Sequence, residues 1–330
     1  MTKTIYDIAK EADVSIATVS RVFNNTGTVR ESTRENVLRV ADELGYHPHV
    51  YAQGLASKKK NYILMLVPVM SNYFFTEILK GAQGVLANSD IELSIVNINQ
   101  ERGTYEQVEQ VLKKRWADGY VLASLHMNDE DLQKLERYNV PVSLLDDHSP
   151  CYDSVSFDNE KGGYMATNYL LKKGYRRIVL ISAKSTSIPI RYRVSGYKTA
   201  LSEFNISFDE ELIVTGRNLS RDGFTERSGY EAMQIILNKH PLPDAIFCTS
   251  DIKAIGALKA MREKEITLPM VSYDNLSLAE YIGLSTIHQP MYSMGHDATR
   301  NLIERINNPN AEICNDIYSP ELIIRSSSEL

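Results

Sequence analysis

An α/β fold, built from a small N-terminal helix-turn-helix headpiece and a larger two-lobed domain of doubly wound parallel sheets, is predicted by three observations. Residues 4–44 carry apolar side chains at helical spacing and no strand-like run. From Tyr62 onward, short apolar runs alternate with helical stretches. The 330 residues suffice for a small domain plus two sheet lobes, at an ordinary globular balance of 43% hydrophobic and 24% charged residues. The expected division is a headpiece over 1–47, a hinge and linker over 48–60, and a body over 61–330. Within the body, a first lobe takes about 61–158 with part of 289–330, and a second takes about 159–288.

In the headpiece, Thr4 followed by Asp7 is a helix-start signal, a hydroxyl cap with an acid three residues on. Ile5, Ile8, Ala9 and Ala12 then share one face. Asp13 interrupts them, and a tight turn there needs a residue that tolerates positive φ, which Asp does better than most. Ser15 caps a second helix, Ile16 to Phe23, with Val19, Val22 and Phe23 inward and Ala17, Thr18, Ser20 and Arg21 outward. A third helix runs from about Ser32 to Leu44, with apolar positions at Val37, Leu38, Val40, Ala41 and Leu44, and Gly45 stops it. Two short helices joined by a tight turn, with a third in support, make a helix-turn-helix, whose second helix presents its N-terminal side chains to the major groove. Arg21 can pair there with a phosphate or a guanine. A generic three-helix unit with a solvated polar face is the alternative.

Pro48 opens a segment in which Gly54 lowers helix stability by ~1 kcal/mol relative to Ala. So short a helix is marginal alone in water, and the residues by themselves read as a flexible linker. Lys58, Lys59 and Lys60 end it, either attracting phosphate or forming a solvated junction.

The body starts with Ile63-Leu64-Met65-Leu66-Val67, an apolar run suited to a strand buried on both faces. Helix Phe75–Ala87, strand Leu93–Val96, helix Tyr105–Trp116, strand Tyr120–Ala123, helix Asp129–Arg137 and strand Val142–Leu145 complete a first set. The alternation restarts with helix Gly163–Lys173, strand Ile178–Ile181, helix Arg193–Phe204, strand Leu212–Val214, helix Thr225–Leu237, strand Ala245–Cys248, helix Ile252–Arg262 and strand Met270–Ser272. Repeated βα units imply parallel sheets covered on both faces. Ligands in such sheets bind beyond the carboxyl ends of the strands, and with two lobes the natural place is the cleft between them.

Charge divides unevenly: residues 1–60 carry nine Lys/Arg and seven Asp/Glu, a net of +2, and the remainder a net of −8. A basic head on an acidic body fits a DNA-reading module joined to something else, although chance unevenness accounts for the numbers equally well. Cys151, Cys248 and Cys314 are too few and too scattered for a disulfide framework. No apolar run spans a bilayer and no leader precedes Thr4, so a cytoplasmic protein with reduced thiols is expected. Enzyme motifs are absent: neither a G-x-G-x-x-G nor a phosphate-binding G-x-x-x-x-G-K-[ST] occurs, nor a G-x-S-x-G elbow. His47 and His49 lack ligand-spaced partners, and Asp146-Asp147 reads as a strand-end turn. No catalytic residue, metal or cofactor is expected. A transport-type binding protein of the same two-lobed build is the remaining rival.

The residues then become recognisable. Thr4-Ile5-Tyr6-Asp7-Ile8-Ala9, Val14-Ser15-Ile16-Ala17-Thr18-Val19-Ser20-Arg21-Val22, Thr33-Arg34, Leu44-Gly45-Tyr46, Pro48 and Ala52 with Leu55-Ala56 resemble, in order and spacing, the headpiece of the LacI/GalR repressor family. More loosely, the body continues the resemblance through Asn72-Tyr73-Phe74-Phe75, Asp158-Asn159, Arg193 with Gly196-Tyr197, Thr249-Ser250-Asp251, Tyr273-Asp274-Asn275 and Ser285-Thr286-Ile287 with Gln289-Pro290.

The resemblance implies a periplasmic-binding-protein-like body and a homodimer that grips double-stranded operator DNA. Ile16, Ala17 and Arg21 would read bases, while Tyr6, Ser15, Thr18, Ser20, Asn24 and Thr33 would hold phosphates. Leu55 would wedge between base pairs once the hinge helices fold on DNA. Arg30 stands where the family usually has a capping Ser. In the body it implies an effector contacting Tyr73, Phe74, Asp158, Arg193, Phe224, Ser250, Asp251 and Asp274. Arg193 offers a planar fork to vicinal oxygens, the three acids accept from hydroxyls, and the aromatics stack. A sugar is the first expectation and a purine the second. Competing roles are an interlobe salt bridge for Arg193 and Asp274, core packing for Phe74 and Phe224, and a helix cap for Asp251. Ser250 replaces the family's usual Asn, and the stretch from Ile266 to Asn275 is shorter than the pattern. The C-terminus shows no leucine heptad, so a tetramer through a terminal coil is not expected.

Overall fold

A computed structural model describes residues 3–23, 27–46, 60–68, 73–183, 187–218 and 223–329. The proposed contacts of Asn24 and Leu55, and with the latter the hinge, lie outside the described residues. Headpiece and body are separate compact units.

The headpiece consists of α1 (Ile5–Glu11), α2 (Ile16–Phe23) and α3 (Glu31–Glu43). The Thr4 amide and hydroxyl both donate to the Asp7 carboxylate, at 2.7 and 2.9 Å, which starts α1 and holds the Asp7 carboxyl below its usual pKa. Asp13 does take φ +53°, turning the chain into α2, where the Ser15 hydroxyl accepts the Thr18 amide at 3.1 Å. Asn36 on α3 donates to the Ala12 carbonyl at 3.1 Å and so ties the third helix to the turn. Ile8, Ala9, Ala12, Val19, Val22, Val37, Val40 and Ala41 form the core. Leu38 was expected among them but is exposed; Val37, Val40 and Ala41 already fill the inward stripe, and position 38 faces away from it.

The first body sheet has the order β11-β5-β4-β3-β1-β2, with β1 Tyr62–Val67, β2 Glu92–Asn97, β3 Gly119–Ala123, β4 Val142–Leu145, β5 Asp153–Phe157 and β11 Asn315–Tyr318. The second has the order β12-β10-β9-β8-β6-β7, with β6 Ile178–Ile181, β7 Ile213–Val214, β8 Ala245–Cys248, β9 Met270–Asp274, β10 Ser285–His288 and β12 Glu321–Ile323. Strand β12 runs antiparallel to β10, a departure from wholly parallel sheets. After α12 (Met291–Asn307) and β11, which lie with the first sheet, the chain returns to the edge of the second. It therefore passes between the sheets at Asp158, at Gln289-Pro290 and at 319–320.

The helices pack in reciprocal pairs. In α4 (Tyr73–Leu86) and α12, a Cβ at Gly81 would meet the Tyr292 carbonyl oxygen at 2.0 Å, and one at Gly295 the Ile78 carbonyl oxygen at 2.1 Å. In α7 (Asn159–Lys172) and α8 (Ile188–Glu203), a Cβ at Gly163 would fall 2.2 Å from the Arg193 carbonyl oxygen and one at Gly196 2.0 Å from that of Glu160. In α9 (Glu226–Leu237) and α10 (Asp251–Glu263), a Cβ at Gly229 would fall 2.0 Å from the Lys253 carbonyl oxygen and one at Gly256 1.8 Å from that of Glu226. Each pair touches backbone to backbone where both sequences omit a side chain. Helices α5 (Thr104–Lys114), α6 (Asp129–Leu135) and α11 (Ser277–Tyr281) complete the body.

Candidate functional site

On the headpiece, α2 buries Val19 and Val22 and leaves Ile16, Ala17 and Arg21 exposed, with Thr18 and Ser20 half-buried. Tyr6 on α1 is 67% exposed, and Thr33 sits half-buried in the first turn of α3. The described residues of the proposed DNA-reading set thus lie on exposed or half-exposed positions of three helices that share one core. Arg30 precedes α3 without a side-chain cap.

In the body, the richest polar cluster lies at the carboxyl ends of β8 and β9 and the amino ends of the helices that follow. Arg193, on the second turn of α8, is 4% exposed. Its Nε donates to Asn159 Oδ1 at 2.9 Å, one Nη to the Thr249 carbonyl at 2.6 Å, and the other to Gln289 Oε1 at 3.3 Å. The guanidinium stacks over the Tyr273 ring, 3.6 Å from its centroid, and the Tyr273 hydroxyl also donates to Asn159 Oδ1 at 3.3 Å. Gly162 leaves room for Tyr273, whose hydroxyl would stand 2.2 Å from a Cβ there. Among the described residues, hydrogen bonds take three of the five guanidinium donors and leave one on each terminal nitrogen. Asp274 Oδ1 lies 3.9 Å from Nη1, so the expected ion pair exists, inside the second lobe rather than between lobes.

Asp274 ends β9 at φ +112° and Asn275 follows at +57°. Two successive non-glycine residues in this region store backbone strain of about 1–3 kcal/mol each. Side-chain bonds hold the bend: the Asn275 amide donates to Thr286 Oγ1 (3.2 Å), and Arg325 donates to Asn275 Oδ1 (3.0 Å). Burial pushes the Asp274 carboxyl upward in pKa against the pull of Arg193.

Lys253, on the first turn of α10, was not anticipated. It is fully buried, its Nζ 3.0 Å from the Thr249 hydroxyl and 4.2 Å from the centre of the Phe224 ring. Desolvation, then the neighbouring Arg193 charge, lower it to about 7. The signal was present in the sequence, because Lys253 shares its helical face with the buried Gly256, Ala257 and Ala260. Phe224 thus lies under a cation.

The remaining expected contacts scatter. Asp251 turns away: its oxygens accept from the Leu276 amide and the Thr286 hydroxyl, both at 2.8 Å, so it anchors the loop before α11 rather than capping its own helix or facing outward. Asp158 caps α7 through the Lys161 amide at 2.9 Å. Phe74 packs on the core and edge-on against Phe75, centroids 5.2 Å apart, while Tyr73 is exposed. Among the described residues, no hydrogen bond, ion pair or ring contact joins Tyr73, Phe74 or Asp158 to the Arg193–Asp274 group. Asn159, Thr249, Tyr273 and Gln289 hold that group together. No set of three His, Cys, Asp or Glu among the described residues is placed to hold a metal ion.

Comparison with known proteins follows the same division. A family model described as bacterial regulatory proteins, lacI family, matches residues 4–49, and one described as periplasmic binding proteins and sugar binding domain of LacI family matches residues 60–325. The HTH-type transcriptional regulator RegA of Clostridium saccharobutylicum is 33% identical, over 99% of this chain and 100% of that one. A solved complex of the transcriptional regulator CelR with cellobiose superposes with a TM-score of 0.70 at 28% identity, covering 98% of this chain and 99% of that one. The lac repressor dimer bound to operator and the anti-inducer ONPF gives a TM-score of 0.80 at 25% identity, covering 99% of each.

Proposed function

The chain belongs to the LacI family of bacterial regulatory proteins, and we propose that a small polyol, a sugar or sugar derivative, held by Arg193, Asp274 and Phe224 sets its affinity for operator DNA. It is a sequence-specific DNA-binding transcriptional regulator. In this reading it works in the cytoplasm as a homodimer, like the lac repressor dimer bound to its operator, and performs no catalytic step. Repression of a carbohydrate-utilisation operon is the role it fits, and the CelR–cellobiose likeness supports a sugar.

The observation that carries the proposal is the bonding of Arg193. Its partners Asn159 and Gln289 belong to two of the segments where the chain passes between sheets. A hydroxyl pair that takes the remaining guanidinium donors and Asp274 pulls on the same guanidinium that Asn159 and Gln289 hold, so ligand binding is felt where one lobe joins the other. The coupling required is about 1–3 kcal/mol, or roughly 5–150-fold in operator affinity.

The test begins with an operator selected from random duplexes by the purified protein. Dose curves against a sugar panel then follow, for the native protein and for Arg193→Ala. The variant is expected to keep operator binding and lose the response; an unchanged dose curve removes Arg193 from the site.

A further inference from the structure

A neutral sugar needs acceptors for its hydroxyls, yet this site is richer in cations than in free acceptors. Lys253 is fully buried, and among the described residues no carboxylate lies within ion-pair distance of its Nζ. The Thr249 hydroxyl and the face of Phe224 are its partners, and they satisfy a fraction of three ammonium donors. The same Thr249 accepts Arg193 on its carbonyl, which brings two cations to one residue. Among the described residues a single carboxylate, Asp274, faces them, since Asp251 is committed to Leu276 and Thr286. Beside them starts α10, a 13-residue helix whose first amides carry positive dipole. Its capping residue, Ser250, is buried and makes no side-chain cap bond, and its hydroxyl oxygen has no hydrogen-bond partner among the described residues. A cation in the first turn of a helix is misplaced for helix stability. Among the described residues, a buried hydroxyl without a hydrogen-bond partner and a buried ammonium without a carboxylate in ion-pair distance stand three residues apart at the start of one helix; each is costly, and one oxyanion relieves both.

We propose that the effector carries an oxyanion, a carboxylate or phosphate, received by Lys253 and Ser250 at the amino end of α10 beside Arg193. This rests on the reading of the Arg193–Asp274 site as the effector site and narrows its ligand to sugar acids or sugar phosphates. Arg193 and Asp274 then orient hydroxyls, and Phe224 covers an apolar face.

The test is thermal unfolding and calorimetric titration of the native protein, Lys253→Met and Arg193→Ala. The probes are inorganic phosphate against chloride at equal ionic strength, and the set glucose, glucose 6-phosphate and glucuronate. The expected result is stabilisation of the native protein by the anionic probes over their neutral counterparts. Glucuronate and glucose 6-phosphate separate carboxylate from phosphate. Lys253→Met should bind the responding anion at least tenfold more weakly while retaining its own cooperative melt. A response to glucose alone, kept in Lys253→Met but lost in Arg193→Ala, overturns the oxyanion and preserves the site. A response that survives both substitutions overturns both. No response to any anionic probe overturns the oxyanion, with the operator dose curves still deciding the site.

Discussion

Lys253 costs the folded protein stability. Its buried ammonium, flanked by Arg193, Cys248 and Asp274, keeps its proton only up to about pH 7, against 10.5 in an exposed lysine. Below about 7 both folded and unfolded chains are protonated and the whole desolvation cost is present. Between about 7 and 10.5 the unfolded chain holds a proton the folded one has released, so stability rises with pH. Asp274 acts oppositely at lower pH, because its raised pKa makes stability fall as pH climbs from 3.8 toward that raised value. Lys253→Met should therefore melt several degrees above the native protein at pH 6, with the gap shrinking toward pH 10, since replacing a buried charge with an apolar residue of similar volume often stabilises by ~1–4 kcal/mol. Thermal melts across that range decide it, and a native protein that melts higher at pH 6 refutes the cost. On the headpiece, Arg21 is exposed on α2 among small side chains. Arg21→Ala should weaken operator binding by about 1–3 kcal/mol, roughly 5–150-fold, and relax sequence preference at one position. Anisotropy titrations with operator and with random duplex measure both, and an equal loss on the two makes Arg21 a phosphate contact.

At the scale of elements, three helix pairs meet through reciprocal glycines, and the α7–α8 pair fixes the Arg193 backbone. A methyl at Gly196 would stand 2.0 Å from the Glu160 carbonyl and 2.4 Å from the Tyr164 amide, both backbone, so the helices must part. Gly196→Ala gains helix propensity of about 1 kcal/mol, but overpacking costs about 1–3 kcal/mol or more, and a Tm lower by a few degrees is expected. Effector affinity should fall with it, because Arg193 shifts off Asn159. The surface glycine Gly174, at φ +101° with no neighbour, is the control: its loss acts through strain alone and should leave effector affinity intact. These elements were unequally legible. Strands β1, β6 and β8 are continuous apolar runs and read directly, and β4 is one broken only by Ser143. Strand β5 (Asp153–Phe157) alternates with serines, β11 is a short polar edge strand, and β12 is only three residues long, so composition and length hid them. Helix α8 begins at Ile188 rather than Arg193 because Pro189 opens it, a start signal that the later periodicity obscured. Of the proposed site, the family resemblance singles out Arg193 and Asp274, with an ion pair between them as the alternative, and the structure brings the two together at 3.9 Å. The commitment of Asp251 to Thr286 was not legible, because it depends on a strand 35 residues away.

For the whole molecule, the question is how a net charge of −6 leaves room for DNA binding. The headpiece and linker carry +2 and the body −8, so attraction to phosphate is local and the body adds repulsion that salt screens. Phosphate contacts fix a steep loss of affinity with salt, with slope about −0.9 per phosphate neutralised, for any duplex. Specificity must come from elsewhere: from the exposed face of α2 and, by the family resemblance, from Leu55 at the operator centre. These two sources separate experimentally. Leu55→Ala removes the wedge but no charge, so it should leave the salt slope and the affinity for random duplex unchanged while cutting operator affinity roughly 10–100-fold. Lys58→Ala does the reverse, lowering both affinities together and the slope by about one. Titrations of operator and random duplex at several salt concentrations distinguish them. If Leu55→Ala instead lowers both affinities in proportion, the linker contributes only tethering, and the effector's influence must reach DNA through the spacing of the two headpieces rather than through a folding hinge.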